Sequence, residues 1–243
     1  MQFKVGFKTD IGRKRTQNQD SGIAIPELGL FIVSDGMGGH RGGEIASATA
    51  VESISAYVKK AHPNQDSTKV IAEAIRMANT AIFERATQEP SLQGMGTTTT
   101  ALLLKDKNLA LGHVGDSRCY FFRLGAIWQA TRDHSLVQEK LRAGLITRAD
   151  VKTDRMKNVI TRSVGFEKQV DVEIYQMEIQ PGDCFLLCSD GLSGLVEDLE
   201  ILKIVQKYLF EENNINKAVD ELIAAANANG GDDNVTSLLV QVM

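Results

Sequence analysis

Four short apolar runs in this chain each meet an aspartate. Leu30 to Ser34 runs into Asp35, Leu109 to Gly115 into Asp116, and Phe185 to Ser189 into Asp190. Near the end the order reverses, and Gly230-Gly231-Asp232-Asp233-Asn234 leads into the apolar stretch Val235 to Val242. One aspartate at a strand end is an ordinary turn residue. Four in equivalent places point to a shared group of carboxylates, which repels itself unless a cation stands among them. Hard divalent ions take oxygen ligands, with water or substrate completing the shell. Asp35, Asp190 and Asp233 are therefore candidate ligands for magnesium or manganese, with Asp20 and Asp116 near them. Gly36 leaves room for its own carbonyl to turn inward as a further ligand.

Two such ions about 4 Å apart can share a water, lower its pKa and aim it at phosphorus, which suits hydrolysis of a phosphate ester. The phosphate then needs a clamp. Arg13-Lys14-Arg15, shortly before Asp20, supplies guanidinium groups able to grip its oxygens in pairs. The plainer reading of that stretch is a solvated basic loop. His40, in the glycine turn, is the candidate acid for the leaving alkoxide, set against an ordinary surface role. His113 lies in an apolar run and reads as a hydrogen-bonded core residue, His62 and His134 as loop and cap positions. Thr97 to Thr100 read as β-branched strand residues rather than a phosphate site.

The elements that must position these groups follow from periodicity. Strands are predicted at 3–8, 21–25, 30–34, 97–104, 109–114, 118–124, 126–130, 172–177, 184–189 and 235–242. The strand before Asp35 is predicted to stop at Ser34, because Gly36, Gly38 and Gly39 weaken regular structure. Helices are predicted near 43–60, 67–86, 199–210 and 217–227, with a short one at 136–143. The charged segment 146–158 has few apolar anchors and reads as a mobile surface excursion. Strands at both ends and helices in two paired blocks predict an α+β fold: a β-sandwich of two mostly antiparallel sheets flanked by helix pairs, in one domain over 1–243.

The balance of 27 basic against 31 acidic residues, net charge −4, argues against broad binding to nucleic acid or an anionic membrane. The three cysteines sit in apolar runs without metal-type spacing and read as buried reduced thiols of a cytoplasmic protein. The N-terminus lacks a signal-peptide core, and no apolar run reaches about 20 residues.

Taken in order, the motifs resemble those of the metal-dependent serine/threonine protein phosphatases of type 2C, in their short bacterial form. The resemblance runs through Gly12-Arg13-Lys14-Arg15, Asn18-Gln19-Asp20, Val33 to His40, Gly94 to Thr98, Gly112 to Arg118, Thr131 to Leu136, Asn158 to Arg162, Ser189 to Leu192, and Gly231 to Thr236. It implies two metals between the sheets and a possible third. Asp35 would bridge the main pair, with the Gly36 carbonyl on one of them. Asp190 and Asp233 would complete the first shell, and Asp20 would touch the second metal. Asp116 would join Asp190 at the third, and Arg15 would bind phosphate. Residues 146–165 would form the family's variable flap. Met37 replaces a histidine of many animal members, which leaves the leaving-group acid to His40 or to a metal-bound water.

The function implied is hydrolysis of phosphoserine and phosphothreonine on proteins by a monomer, reversing a Ser/Thr kinase. A non-catalytic binding module would be expected to lose such aspartates, and a two-metal nuclease would be expected to carry a basic or aromatic stripe.

Overall fold

Apolar side chains occupy both faces of the central strands, so each strand needs cover on two sides. The computed structural model, which describes residues 1–37 and 42–243, supplies that cover in four layers. One sheet is ordered β1 (Phe3–Asp10), β11 (Val235–Val242), β10 (Cys184–Cys188), β7 (Arg118–Arg123) and β8 (Ala126–Gln129). The other is ordered β2 (Asp20–Ile25), β3 (Leu30–Met37), β5 (Thr99–Lys105), β6 (Asn108–Val114) and β9 (Glu173–Glu178), with β4 (Gly96–Thr97) added against β3. All these pairings are antiparallel.

The alternation sorts the core. Phe31, Val33, Leu102, Leu111, Phe185, Leu187, Leu238 and Val240 form one buried cluster drawn from both sheets, which is the sandwich filling. Their neighbours Leu30, Ile32, Ala101 and Ala110 point the other way and pack with α1 (Gly43–Lys60) and α2 (Ser67–Gln88). Cys184, Leu186, Cys188 and Leu239 do the same against α5 (Asp198–Val205) and α6 (Ile215–Ala228). Two short helices, α3 (Leu136–Arg142) and α4 (Asp190–Ser193), belong to connections. The helical stripes Ala46, Ala50, Ile54 and Ile71, Ala74, Ile75, Ala78, Ile82 are fully buried, as their spacing predicts.

Two expectations change and a third gains detail. The strand expected to stop at Ser34 continues through Asp35 and Gly36 to Met37, because β4 adds a partner that pairs Gly36 with Thr97 and Met37 with Gly96. His134 does lie in the loop just before α3, as expected, and it is buried there, 3% exposed, beside His113 with ring centroids 4.9 Å apart. The stretch 146–158 lies largely at the surface but is tied down. Lys140 Nζ meets Asp154 Oδ2 at 2.9 Å, Leu136 N donates to Val159 O at 2.9 Å, and Thr161 N donates to His134 O at 2.8 Å. No helix among the described residues is long and apolar enough to cross a membrane.

Candidate metal and phosphate site

Where the two sheets meet at one end, a cleft of about 1210 Å³ opens. Asp35, Gly36, Asp116, Asp190, Asp233 and Arg15 all line it. Residues as far as 218 positions apart in sequence, Arg15 and Asp233, are thus gathered by the sandwich into one place. Asp20 is the exception, because it sits behind the cleft wall and is 7% exposed. His40 lies outside the described residues.

Each carboxylate is placed by backbone rather than by a flexible loop. Asp20 and Asp35 are direct cross-strand partners on β2 and β3. The Asp35 main chain is held on both sides: its N–H donates to Thr98 Oγ1 at 2.9 Å, and its carbonyl accepts from Thr98 N at 2.8 Å and Thr97 Oγ1 at 2.8 Å. Thr98 Oγ1 in turn meets Ser117 Oγ at 2.7 Å, next to Asp116. From the opposite sheet, Ser189 Oγ and Thr236 Oγ1 donate to Asp20 Oδ2 at 2.8 and 2.6 Å. Asn234 fastens the basic loop: its Oδ1 accepts from Gln19 N at 2.8 Å, and its Nδ2 donates to the carbonyls of Ile11 and Gln17 at 3.0 and 2.9 Å.

Gly36 is fixed by contact. A Cβ there would come 2.0 Å from the Gly43 carbonyl oxygen, so the start of α1 and the end of β3 meet main chain to main chain. Only glycine permits that approach.

The electrostatics are one-sided. Burial, with neighbouring Asp190 and Asp233, raises the Asp20 carboxyl from 3.8 to about 7, against hydrogen bonds that lower it. Burial and then Asp190 and Asp133 raise Asp116 to about 8. Asp35 is raised well above the carboxylate range by burial and by Asp20, Asp190, Asp116 and Asp233. Asp190 is raised by burial and Asp233, although a hydrogen bond with the Asp35 carboxyl opposes this. The buried oxygens Asp20 Oδ1 and Asp190 Oδ1 have no hydrogen-bond partner. Arg15 Nη2, 2.6 Å from Asp233 Oδ2, is the nearest counter-charge, and that pair is half exposed.

These features fit a hard divalent ion: all-oxygen donors, orphaned buried carboxylate oxygens and a deficit of positive charge. Among the described residues, no three His, Cys, Asp or Glu side chains close on one point as a finished cage. That suits ions which keep several waters and take one or two carboxylates each.

Several of these supports were not legible as such in sequence. Thr97 and Thr98 read as strand residues, and they are; their hydroxyls also hold Asp35. Ser189, Thr236, Ser117 and Asn234 stood inside recognisable motifs without a role. The signal available was position: each lies within three residues of a candidate aspartate.

Comparison with known proteins places the chain. Residues 12–239 match the family model described as protein phosphatase 2C. The chain is 36% identical to the serine/threonine phosphatase stp of Listeria monocytogenes over 97% of its own length and 94% of that protein. The crystal structure of the serine/threonine phosphatase PstP/Ppp of Mycobacterium tuberculosis superposes with a TM-score of 0.92 at 34% identity, covering 100% of this chain and 99% of the other. The PstP catalytic domain in complex with two manganese ions gives 0.89 at 34% identity, covering 99% of each chain.

Proposed function

Because this chain belongs to the protein phosphatase 2C family, we propose that its cleft hydrolyses phosphoserine and phosphothreonine monoesters on proteins, reversing a Ser/Thr kinase. Membership bears out the fold, the phosphatase class and the use of manganese or magnesium expected from the motifs. The residue assignments proposed are Asp35, the Gly36 carbonyl, Asp190 and Asp233 around the main ions, with Asp20 behind them and Asp116 with Asp190 at a third. The organisation proposed is one catalytic domain over 1–243 with a flap at about 146–165, acting as a cytoplasmic monomer and reaching neither nucleic acid nor membrane.

The observation that carries this reading is the uncompensated carboxylate group at the end of the sandwich, with orphaned Asp20 Oδ1 and Asp190 Oδ1 inside it. Bound ions supply the missing positive charge and activate water for attack on phosphorus. The chain's own groups do the rest. Arg15 stands at the cleft wall beside Asp233, able to exchange that carboxylate for a phosphate oxygen. Thr97, Thr98 and the Gly36–Gly43 contact keep Asp35 from retreating when charge builds in the site. Met37 lines the cleft and carries no proton to give, so His40 is the proposed acid from protein for the leaving alkoxide.

The test is phosphate release from a phosphothreonine peptide with manganese or with chelator, for the wild type and Asp35→Ala. Release by the wild type is expected to need manganese, and to fall at least about a thousandfold in the variant, about 4 kcal/mol in the barrier. Circular dichroism should show the variant folded. Equal turnover by a folded Asp35→Ala would sink the assignment.

A further inference from the structure

The cleft is far larger than a phosphate group, and its far side has a chemistry the hydrolysis itself does not use. After the flap, residues 165–171 return along the cleft before β9, and Phe166, Glu167, Val170 and Asp171 line it. This return is clamped from below. Asn79 on α2 is 2% exposed; its Oδ1 accepts from Gly165 N at 2.7 Å, and its Nδ2 donates to the carbonyls of Glu167 and Lys168 at 3.0 and 3.2 Å. Gly165 has φ +91°, and a Cβ there would lie 2.1 Å from Ile82 Cγ2, so the chain is pressed onto α2. Val170 packs on the core beneath. What remains outward is specific in character. Phe166 is 58% exposed, Glu167 makes no ion pair among the described residues, and the Asp171 side chain is 83% exposed, with Arg162 Nη1, which also lines the cleft, 3.4 Å from its carboxylate and 3.4 Å from its carbonyl.

Across the cleft lies a basic loop whose Lys14 and Arg15 pair with Asp232 and Asp233 at 2.6 Å each. Lys14 and Arg15 stand on a loop pinned to Gly231 by Arg13 N at 2.7 Å and Lys14 N at 3.2 Å, at the entrance to β11 in the other sheet. A phosphate is drawn to that basic side. On the far wall Arg162 stands against Asp171 and Lys168 follows Glu167, so Glu167 is the acid left without an ion pair among the described residues, and it disfavours acidic neighbours along a substrate chain. A firmly clamped acidic and aromatic surface instead suits a guanidinium or ammonium group, through its charge and over a ring face.

We propose that the 165–171 return is a specificity wall, with Phe166, Glu167 and Asp171 selecting phosphorylated polypeptides that carry an arginine or lysine within a few residues of the phosphoresidue. The inference rests on the protein-phosphatase reading and names its substrate class. Glu167 and Asp171 act on binding, so the preference resides in KM and weakens with salt.

The experiment uses the full chain with manganese and two pairs of phosphothreonine peptides, bearing arginine or glutamate on the N-terminal or the C-terminal flank. kcat/KM is measured for the wild type, Glu167→Gln and the double variant Glu167→Lys with Asp171→Lys. Each value is divided by the same enzyme's turnover of para-nitrophenyl phosphate, which corrects for any general loss. The wild type should favour arginine on at least one flank by about tenfold, the expected scale of two partly exposed ion pairs. Glu167→Gln should reduce that preference and the double variant should reverse it. Equal use of both peptides of each pair, or a preference for arginine that survives charge reversal, overturns the wall. Turnover of para-nitrophenyl phosphate with no release from any peptide overturns the protein-substrate reading, and the wall with it.

Discussion

Two buried acidic centres lie side by side at one end of the strands, close enough for Asp133 to act on Asp116, and they are solved in opposite ways. Asp133, 6% exposed, is gripped by Arg118 through Nε at 3.0 and 3.1 Å and through Nη2 at 2.7 Å, and Gln129 Nε2 donates to it at 2.8 Å. Arg118 Nη1 also donates to Tyr120 OH at 2.9 Å, and Tyr120 donates to Asp198 at 2.9 Å. Every charge there has its partner within the chain. The group around Asp35 has five carboxylates and two orphaned oxygens, and among the described residues the half-exposed Arg15 is the cation paired directly with it. A protein that satisfies one buried acid completely and leaves another short is marking the second as a place for a ligand.

The contrast is broken most forcefully by neutralising one acid at each centre. Asp133→Asn leaves Arg118 buried without its charge partner and should cost about 3–5 kcal/mol of stability in urea unfolding. Asp190→Asn in chelated protein should do the reverse, gaining about 1 kcal/mol near neutral pH by relieving repulsion, while losing manganese binding by calorimetry. Equal losses in both would erase the distinction.

The pH dependence of chelated wild type sharpens it. Asp20 and Asp116 ionise at 3.8 in an ordinary setting but at about 7 and about 8 in the fold. Between those limits the folded chain holds protons that the unfolded chain has released. Stability is therefore full below about pH 4, falls as pH rises through the window, and levels off above about pH 8. A progressive decline across that window is expected in thermal or urea melts with chelator. Manganese binds the folded, ionised form, so it should restore stability most at the alkaline end. His113 runs the other way: burial, then His134, holds its imidazole down to about 3, so between about pH 3 and 6.5 the unfolded chain binds a proton the folded chain lacks, and this opposes the carboxylate slope in the acidic half of the window.

The smallest effect expected is at Arg15. Arg15→Ala should raise KM for a phosphopeptide about tenfold, the worth of roughly one charge-assisted hydrogen bond, with kcat within about twofold. An unchanged KM would remove Arg15 from phosphate binding and leave its pairing with Asp233 as its role.

How far the sequence reached depended on whether a feature is local. Apolar runs ending at Asp35, Asp116 and Asp190 announced both the strands and the carboxylates that meet in the cleft, because strand and carboxylate are adjacent in the chain. The stripes of α1 and α2 were equally plain, since helical spacing is a local property. What escaped was set by partners far away. The extension of β3 through Asp35 required β4, some sixty residues on, to supply its hydrogen bonds. The burial of His134 required His113 and Gly115, whose N–H donates to His134 Nδ1 at 3.0 Å. The hydroxyls of Ser189 and Thr236 gained meaning only when β10 and β11 came to face Asp20 across the sandwich.

That last arrangement has a kinetic consequence. Asp20 and Asp35 belong to one sheet, while Asp190 and Asp233 flank strands of the other. On the proposed ligand assignment no single sheet owns enough carboxylates to hold an ion well, so tight binding should await the docking of the two sheets. Ions that arrive after docking leave the folding barrier untouched and deepen only the folded well. Manganese should then leave the refolding rate nearly constant while slowing unfolding, so the ions act as rivets set after the plates are joined.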